Sequence, residues 1–185
     1  SNLRLPVVRF GPRRTEPAMS LDSLKDVLED QIKDLYSAET QLIAALPKVA
    51  EKANNAELKQ LVTDHLAQTK AHAERLERVG ELIGVKLGGK TCKAMKGLVE
   101  EAKEGLAEKG DPAALDVAIV AAAQRVEHYE ISAYGTAIAI ADQLGHTEVS
   151  EILEETLTEE KAADEKLTRV CMDQLFADAP EGQVS

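Results

Sequence analysis

Apolar residues recur along this chain in alternating steps of four and three, the period that keeps one stripe of an α-helix against a core. Four such stripes stand out. The first is Leu28, Ile32, Leu35, Glu39, Leu42, Leu46, Val49 and Ala53. It follows Ser20 or Asp22 as a cap and predicts a helix to about Ala53, with Pro47 kinking it or ending it early. The second, Leu58, Val62, His65, Thr69, His72, Leu76, Val79 and Ile83, begins after Asn54 and Asn55 and stops at Gly84. The third runs from Asp111 as cap and Pro112 as first-turn proline to Gly145, through Ile119, Ala123, Val126, Glu130, Ala133, Ala137, Ile140 and Leu144. The fourth, from His146 or Thr147 to Phe176, reads Leu153, Leu157, Glu160, Asp164, Leu167 and Cys171.

Between the second and third stripes, residues 84–111 are bracketed by glycines and leave room for a shorter helix around Cys92–Ala107. Helix, tight turn, helix, long crossing, helix, tight turn, helix predicts an all-α fold. It is the layout of a ferritin-like antiparallel four-helix bundle with one long crossover between helices 2 and 3. The bundle is expected over residues 20–176. Residues 1–19 read as a poorly ordered extension, with Met19 as the natural start, and residues 177–185 as a flexible tail.

Composition narrows the setting. Hydrophobic residues are 44% and charged residues 30%, as in a soluble globular domain, while aromatics are only 3% and Trp is absent. The formal net charge of -11 disfavours binding to nucleic acid or to an anionic membrane, because both need clustered Lys and Arg. It attracts metal cations. No apolar run spans a bilayer, and the N-terminal stretch lacks the continuous apolar core of a signal peptide. Two cysteines, Cys92 and Cys171, without CxxC spacing suit a reducing cytoplasm rather than a disulfide framework.

The chemistry lies where the stripes are interrupted. Each helix carries ionisable groups at inward positions near its midpoint: Glu39; His65 and His72, with Gln68 beside them; Glu127 and Glu130; Glu160 and Asp164. In an antiparallel bundle these depths coincide. Several carboxylates gathered in a low-dielectric core cost several kcal/mol per unpaired ion, or are forced to hold protons. One or two cations remove both penalties, and carboxylate oxygen with imidazole nitrogen is a ligand set for iron or manganese. Tyr36, Tyr129 and Tyr134 lie close enough in sequence to support ligating carboxylates through hydrogen bonds; a core tyrosine with a satisfied hydroxyl is the plainer reading. The competing explanation of the whole constellation is a hydrated, proton-sharing polar network without metal.

The stretches "DLYSAETQL", "CKAMKGLVEEA", "AAAQRVEHYEISAYGT" and "LEETLTEEKAADEKLT" resemble the YciE/YciF-type ferritin-like family over roughly residues 20–172. That resemblance implies a bacterial stress-associated protein that self-associates, commonly as a homodimer. It places the family's acids at Glu39, Glu127, Glu130, Glu160 and Asp164. The second helix departs from the family pattern: relatives carry glutamate in "HLEET" where this chain has Ala67 and Gln68. Two functions stay open. One is a bundle holding iron or manganese that handles iron, oxygen or peroxide, with ferroxidase-like or peroxidase/catalase-like oxidoreductase activity if it turns over. The other is a non-catalytic stress or interaction protein with a metal-free polar core.

Overall fold

The computed structural model describes residues 21–181, and the expectations for residues 1–19 and for the last four residues lie outside it. Every regular element among the described residues is helical: α1 Leu24–Lys52, α2 Ala56–Ile83, α3 Lys93–Gly105, α4 Pro112–Gln143 and α5 Thr147–Val170. A π-helical turn, Cys171–Leu175, and a last turn, α6 Phe176–Asp178, continue α5.

Local chemistry sets the ends. Ser23 rather than Ser20 or Asp22 caps α1, its hydroxyl accepting from the Asp26 N–H. Asn55 accepts from the Glu57 and Leu58 N–H groups at the start of α2, and Asp111 from the Ala113 and Ala114 N–H groups ahead of Pro112. Gly84 closes α2 at φ 70°, and Gly145 follows α4 at φ 74°, a left-handed conformation that a Cβ would penalise. Pro47 does not end α1, which continues to Lys52. Pro47 is exposed, so the Ile43 carbonyl that loses its N–H partner is on a side of the helix where water can replace it.

α1 packs on α2 and α4, α5 packs on α2 and α4, and α3 lies across α1 and α4. A buried Asp116 on α4 ties this arrangement to the α1–α2 turn by accepting from the Asn54 N–H (2.9 Å) and the Asn55 N–H (2.6 Å). The apolar core falls into two clusters. One holds Leu28, Ile32, Leu76, Ala137 and Leu153; the other holds Leu42, Leu46, Val62, Val126 and Leu167. Along α1, α2, α4 and α5 the positions between these clusters carry the buried polar residues Glu39, His65, His72, Glu127, Glu130 and Glu160. The core is thus interrupted by one polar layer.

On α5 the inward stripe is Leu153, Thr156, Glu160, Ala163, Leu167 and Val170. The stripe read from sequence passed instead through Leu157, Asp164 and Cys171, one residue later at alternate turns. That displacement removes Asp164 from the interior and gives its place to Ala163, which is 4% exposed.

Candidate metal centre

Four helices deliver ligand-type side chains to one place because each has them at core positions. Glu39, His72, Glu130 and Glu160 are fully buried, and His65 and Glu127 are almost so. His65 and His72, two turns apart on α2, face the acids with their rings 6.4 Å apart. Glu127 and Glu130, three residues apart on α4, share a side of that helix as the sequence predicts.

The donor atoms form two groups. His65, Glu127, Glu130 and Glu160 can each offer an atom within 4.8 Å of the others, and so can Glu39, His72 and Glu160. Glu160 belongs to both. Its Oε1 lies 2.9 Å from His72 Nδ1 and its Oε2 lies 3.9 Å from His65 Nε2. Glu127 Oε1 is 3.3 Å from His65 Nε2, and Glu39 Oε1 is 3.6 Å from His72 Nδ1.

Proximity here is not hydrogen bonding. Among the described residues, nine buried side-chain atoms have no hydrogen-bond partner: Glu39 Oε2, both His65 nitrogens, His72 Nδ1, Glu127 Oε2, and both oxygens of Glu130 and of Glu160. A buried polar atom left unpaired costs about 1–3 kcal/mol, against about 5–15 kcal/mol of net stability for a whole domain. So many ligand-type atoms in one layer could hold a metal ion. The geometry fits a cation: bonds of about 2.1 Å to a six-coordinate ion put opposite ligand atoms about 4.2 Å apart, inside the 4.8 Å limit of both groups.

Without a cation, the electrostatics divide the glutamates. Burial, then the Glu160 charge, raises the Glu127 carboxyl well above its ordinary value of 4.5. Burial, with Glu39 and Glu160 next, does the same at Glu130. Burial also raises Glu39 and works against the Glu160 anion, but at Glu160 the His72 contact wins and the pKa falls. Burial opposes the His72 cation too, yet Glu160 and Glu39 push its pKa up to about 10. Burial lowers His65. Without a cation, the layer thus favours charge on His72 and Glu160 and disfavours it on Glu127 and Glu130.

The surroundings hold these ligands in place. Tyr134, fully buried, donates to Glu39 Oε1 at 2.5 Å, the supporting contact expected for a tyrosine here. The other two tyrosines bond elsewhere. Tyr36 donates to Glu77 (2.8 Å), and Tyr129 donates to Asp34 (2.6 Å) with Cys92 Sγ 3.0 Å away. Asp164 falls outside both groups: Gln124 donates to it at 3.0 Å and His128 Nε2 lies 3.2 Å from it. Gln68 is half-buried beside His65, whereas Ala67 is exposed, so of the two only Gln68 stands near the site.

One contributor was not legible in the stripes. Glu159 Oε2 sits 2.7 Å from His72 Nε2. Arg75 grips Glu159 with donors at 2.7 and 3.0 Å and reaches Glu155 at 2.6 Å. With Nε2–H donating to Glu159, the His72 Nδ1 lone pair is left for the centre, the usual carboxylate–histidine–metal arrangement. The available signal was Arg75 three residues after His72, a cation on nearly the same side of α2.

Comparisons with known proteins agree with this architecture. A family described as a domain of unknown function, DUF892, matches residues 23–179. Protein YciF of Escherichia coli (strain K12) is 43% identical over 151 residues, 81% of this chain and 91% of that protein. The crystal structure of the E. coli stress protein YciF superposes with a TM-score of 0.82 at 40% identity, covering 85% of this chain and 99% of that one. The structure of YcfI from Rhodopseudomonas palustris gives 0.78 at 44% identity, covering 86% and 98%. A Xanthomonas campestris protein at 20% identity, covering 84% of this chain and 95% of that one, shares the fold with a TM-score of 0.67.

Proposed function

Because the chain belongs to the DUF892 family and is a homologue of the stress protein YciF, we propose that it is a ferritin-like antiparallel four-helix bundle, with α3 on its one long crossover, that holds two transition-metal ions. Glu160, a member of both donor groups, would be shared between them. His65, Glu127 and Glu130 would hold one, and Glu39 and His72 the other. The observation that carries this reading is the set of nine partnerless donor atoms gathered from four helices in one layer of the core. Oxygen and imidazole ligands without thiolate favour iron or manganese over softer ions. Either metal, when bound, supplies redox chemistry with oxygen or peroxide, and the stress setting of YciF fits protection against such species. A cytoplasmic homodimer is the proposed form, checked by light scattering of the purified chain. No helix among the described residues is long and apolar enough to cross a membrane.

Anaerobic titration with ferrous or manganous ion tests the proposal. Saturable uptake of two ions per chain is expected, followed by peroxide consumption or ferrous oxidation if the centre turns over. Gln68, a neutral side chain where relatives carry glutamate, favours the alternative of a non-catalytic protein with a metal-free polar core. That alternative predicts no uptake.

A further inference from the structure

A cavity of about 630 Å³ opens between α1, α2, α3 and α4 and ends at His65 and Glu127. Its size is that of a small-molecule site. Its walls are aliphatic: Leu46 and Val49 from α1, Leu61 from α2, Val99 from α3, and Ile119 and Val126 from α4. No Phe, Tyr or Trp lines it among the described residues, so its long walls offer no stacking platform for a flat ring. At the inner end, both nitrogens of His65 and Oε2 of Glu127 lack partners, and His65 is only 5% exposed. Apart from Glu127, the charged residues of the lining are exposed and stand at the mouth. Lys48 and Lys52 stand one turn apart on α1; across from them Lys103 stands among Glu101, Glu104 and Glu108, and Arg125 is engaged by Glu101 at 3.1 Å.

An apolar lumen behind a lysine pair fits one ligand chemistry. We propose that the cavity binds the aliphatic chain of a fatty-acid-like monoanion, its carboxylate on Lys48 and Lys52 and its far end against His65 and Glu127. Aliphatic walls take up the chain by the hydrophobic effect, and the two ammonium groups, paired with no described residue, compensate the head. Chain binding needs no metal. Delivery of the chain's far end to a metal centre rests on the function proposed above.

Calorimetric titration of the full chain with dodecanoate, below its micelle-forming concentration, tests this. One molecule per chain is expected, in metal-free and metal-loaded protein alike. The pair Lys48→Glu and Lys52→Glu should weaken dodecanoate about tenfold and leave dodecanol unchanged. Ala122→Phe, which projects a ring into the lumen, should weaken both. Dodecanoate carrying a photoreactive group at its terminal carbon should label peptides containing His65 or Val126 in the unaltered protein, a readout that does not depend on how the variants fold. Absence of saturable binding, labelling confined to another surface, or one molecule per two chains would each overturn the proposal. Metal uptake without dodecanoate binding would overturn it alone, whereas dodecanoate binding without metal uptake would overturn only the metal reading.

Discussion

His72 Nδ1 and Glu160 Oε1 lie 2.9 Å apart, yet neither counts as the other's hydrogen-bond partner. At that distance the two can pair directly without metal or, under the proposed function, ligate one cation, with His72 held from behind by Glu159.

Because Glu160 serves both groups, Glu160→Gln should cost more metal than any other single change. Uptake of both ions should fall at least tenfold, whereas Asp164→Asn should leave uptake within about twofold of the parent. Metal content after anaerobic loading and desalting reads both variants. Equal losses would return Asp164 to the ligand set.

Glu159 and Arg75 act through His72. Removing an outer partner of a ligating histidine costs about 10–100-fold in metal affinity, so Glu159→Gln is expected in that range with helicity unchanged. Arg75→Ala should fall between Glu159→Gln and the parent, because His72 keeps its carboxylate but the carboxylate loses its clamp. Competition against a chelator of known affinity measures the difference.

Tyr134→Phe leaves the buried Glu39 Oε1 without its donor. The expected loss of fold stability is about 1–3 kcal/mol, seen as a lower urea midpoint in metal-free protein and a smaller change once metal is bound. Asp116→Ala provides the contrast. It strips the acceptor from two backbone N–H groups at the α1–α2 turn, should cost about 2–3 kcal/mol, and should leave metal stoichiometry untouched.

The pH dependence follows from the raised pKa values. His72 is pushed from 6.5 up to about 10, and Glu127 and Glu130 stand well above 4.5. A group whose proton is held more tightly in the fold than in the unfolded chain stabilises fully below its unfolded pKa and loses that contribution as pH rises through its folded one. Metal-free protein should therefore become easier to unfold between pH 6.5 and about 10. Below that window His65, lowered by burial, works in the opposite sense. Metal must displace the retained protons, so uptake should release protons and tighten as pH rises. Thermal midpoints with and without chelator across the window check both signs; a metal-free midpoint that rises with pH would contradict them.

Much of this was legible in the chain because burial leaves a period. Glu39, His65, His72, Glu130 and Glu160 occupy positions where leucine or valine would continue a stripe, and all are buried. Asp164 misled because a step of four on α5 is as periodic as a step of three, and the choice between Ala163 and Asp164 is made by packing against α2 and α4. Between the two outcomes open at Pro47, the helix runs on past it to Lys52, because the cost of a helical proline depends on exposure, which sequence does not state. Glu159 sits in a run of acids that reads as a solvated face, and only the approach of α2 to α5 brings it to His72. The same holds for Asp34. Burial works against its anion, but Cys92 and Lys90 from the connection ahead of α3, and Tyr129 from α4, together lower its pKa.

The most direct measurement is elemental analysis of the full chain purified without chelator and then loaded anaerobically with ferrous or manganous ion, alongside Glu160→Gln. Two ions per parent chain and a near-complete loss in the variant are expected. Fewer than about one ion per ten parent chains, before and after loading, would mean that these glutamates share protons and water instead, and the metal centre would have to be abandoned.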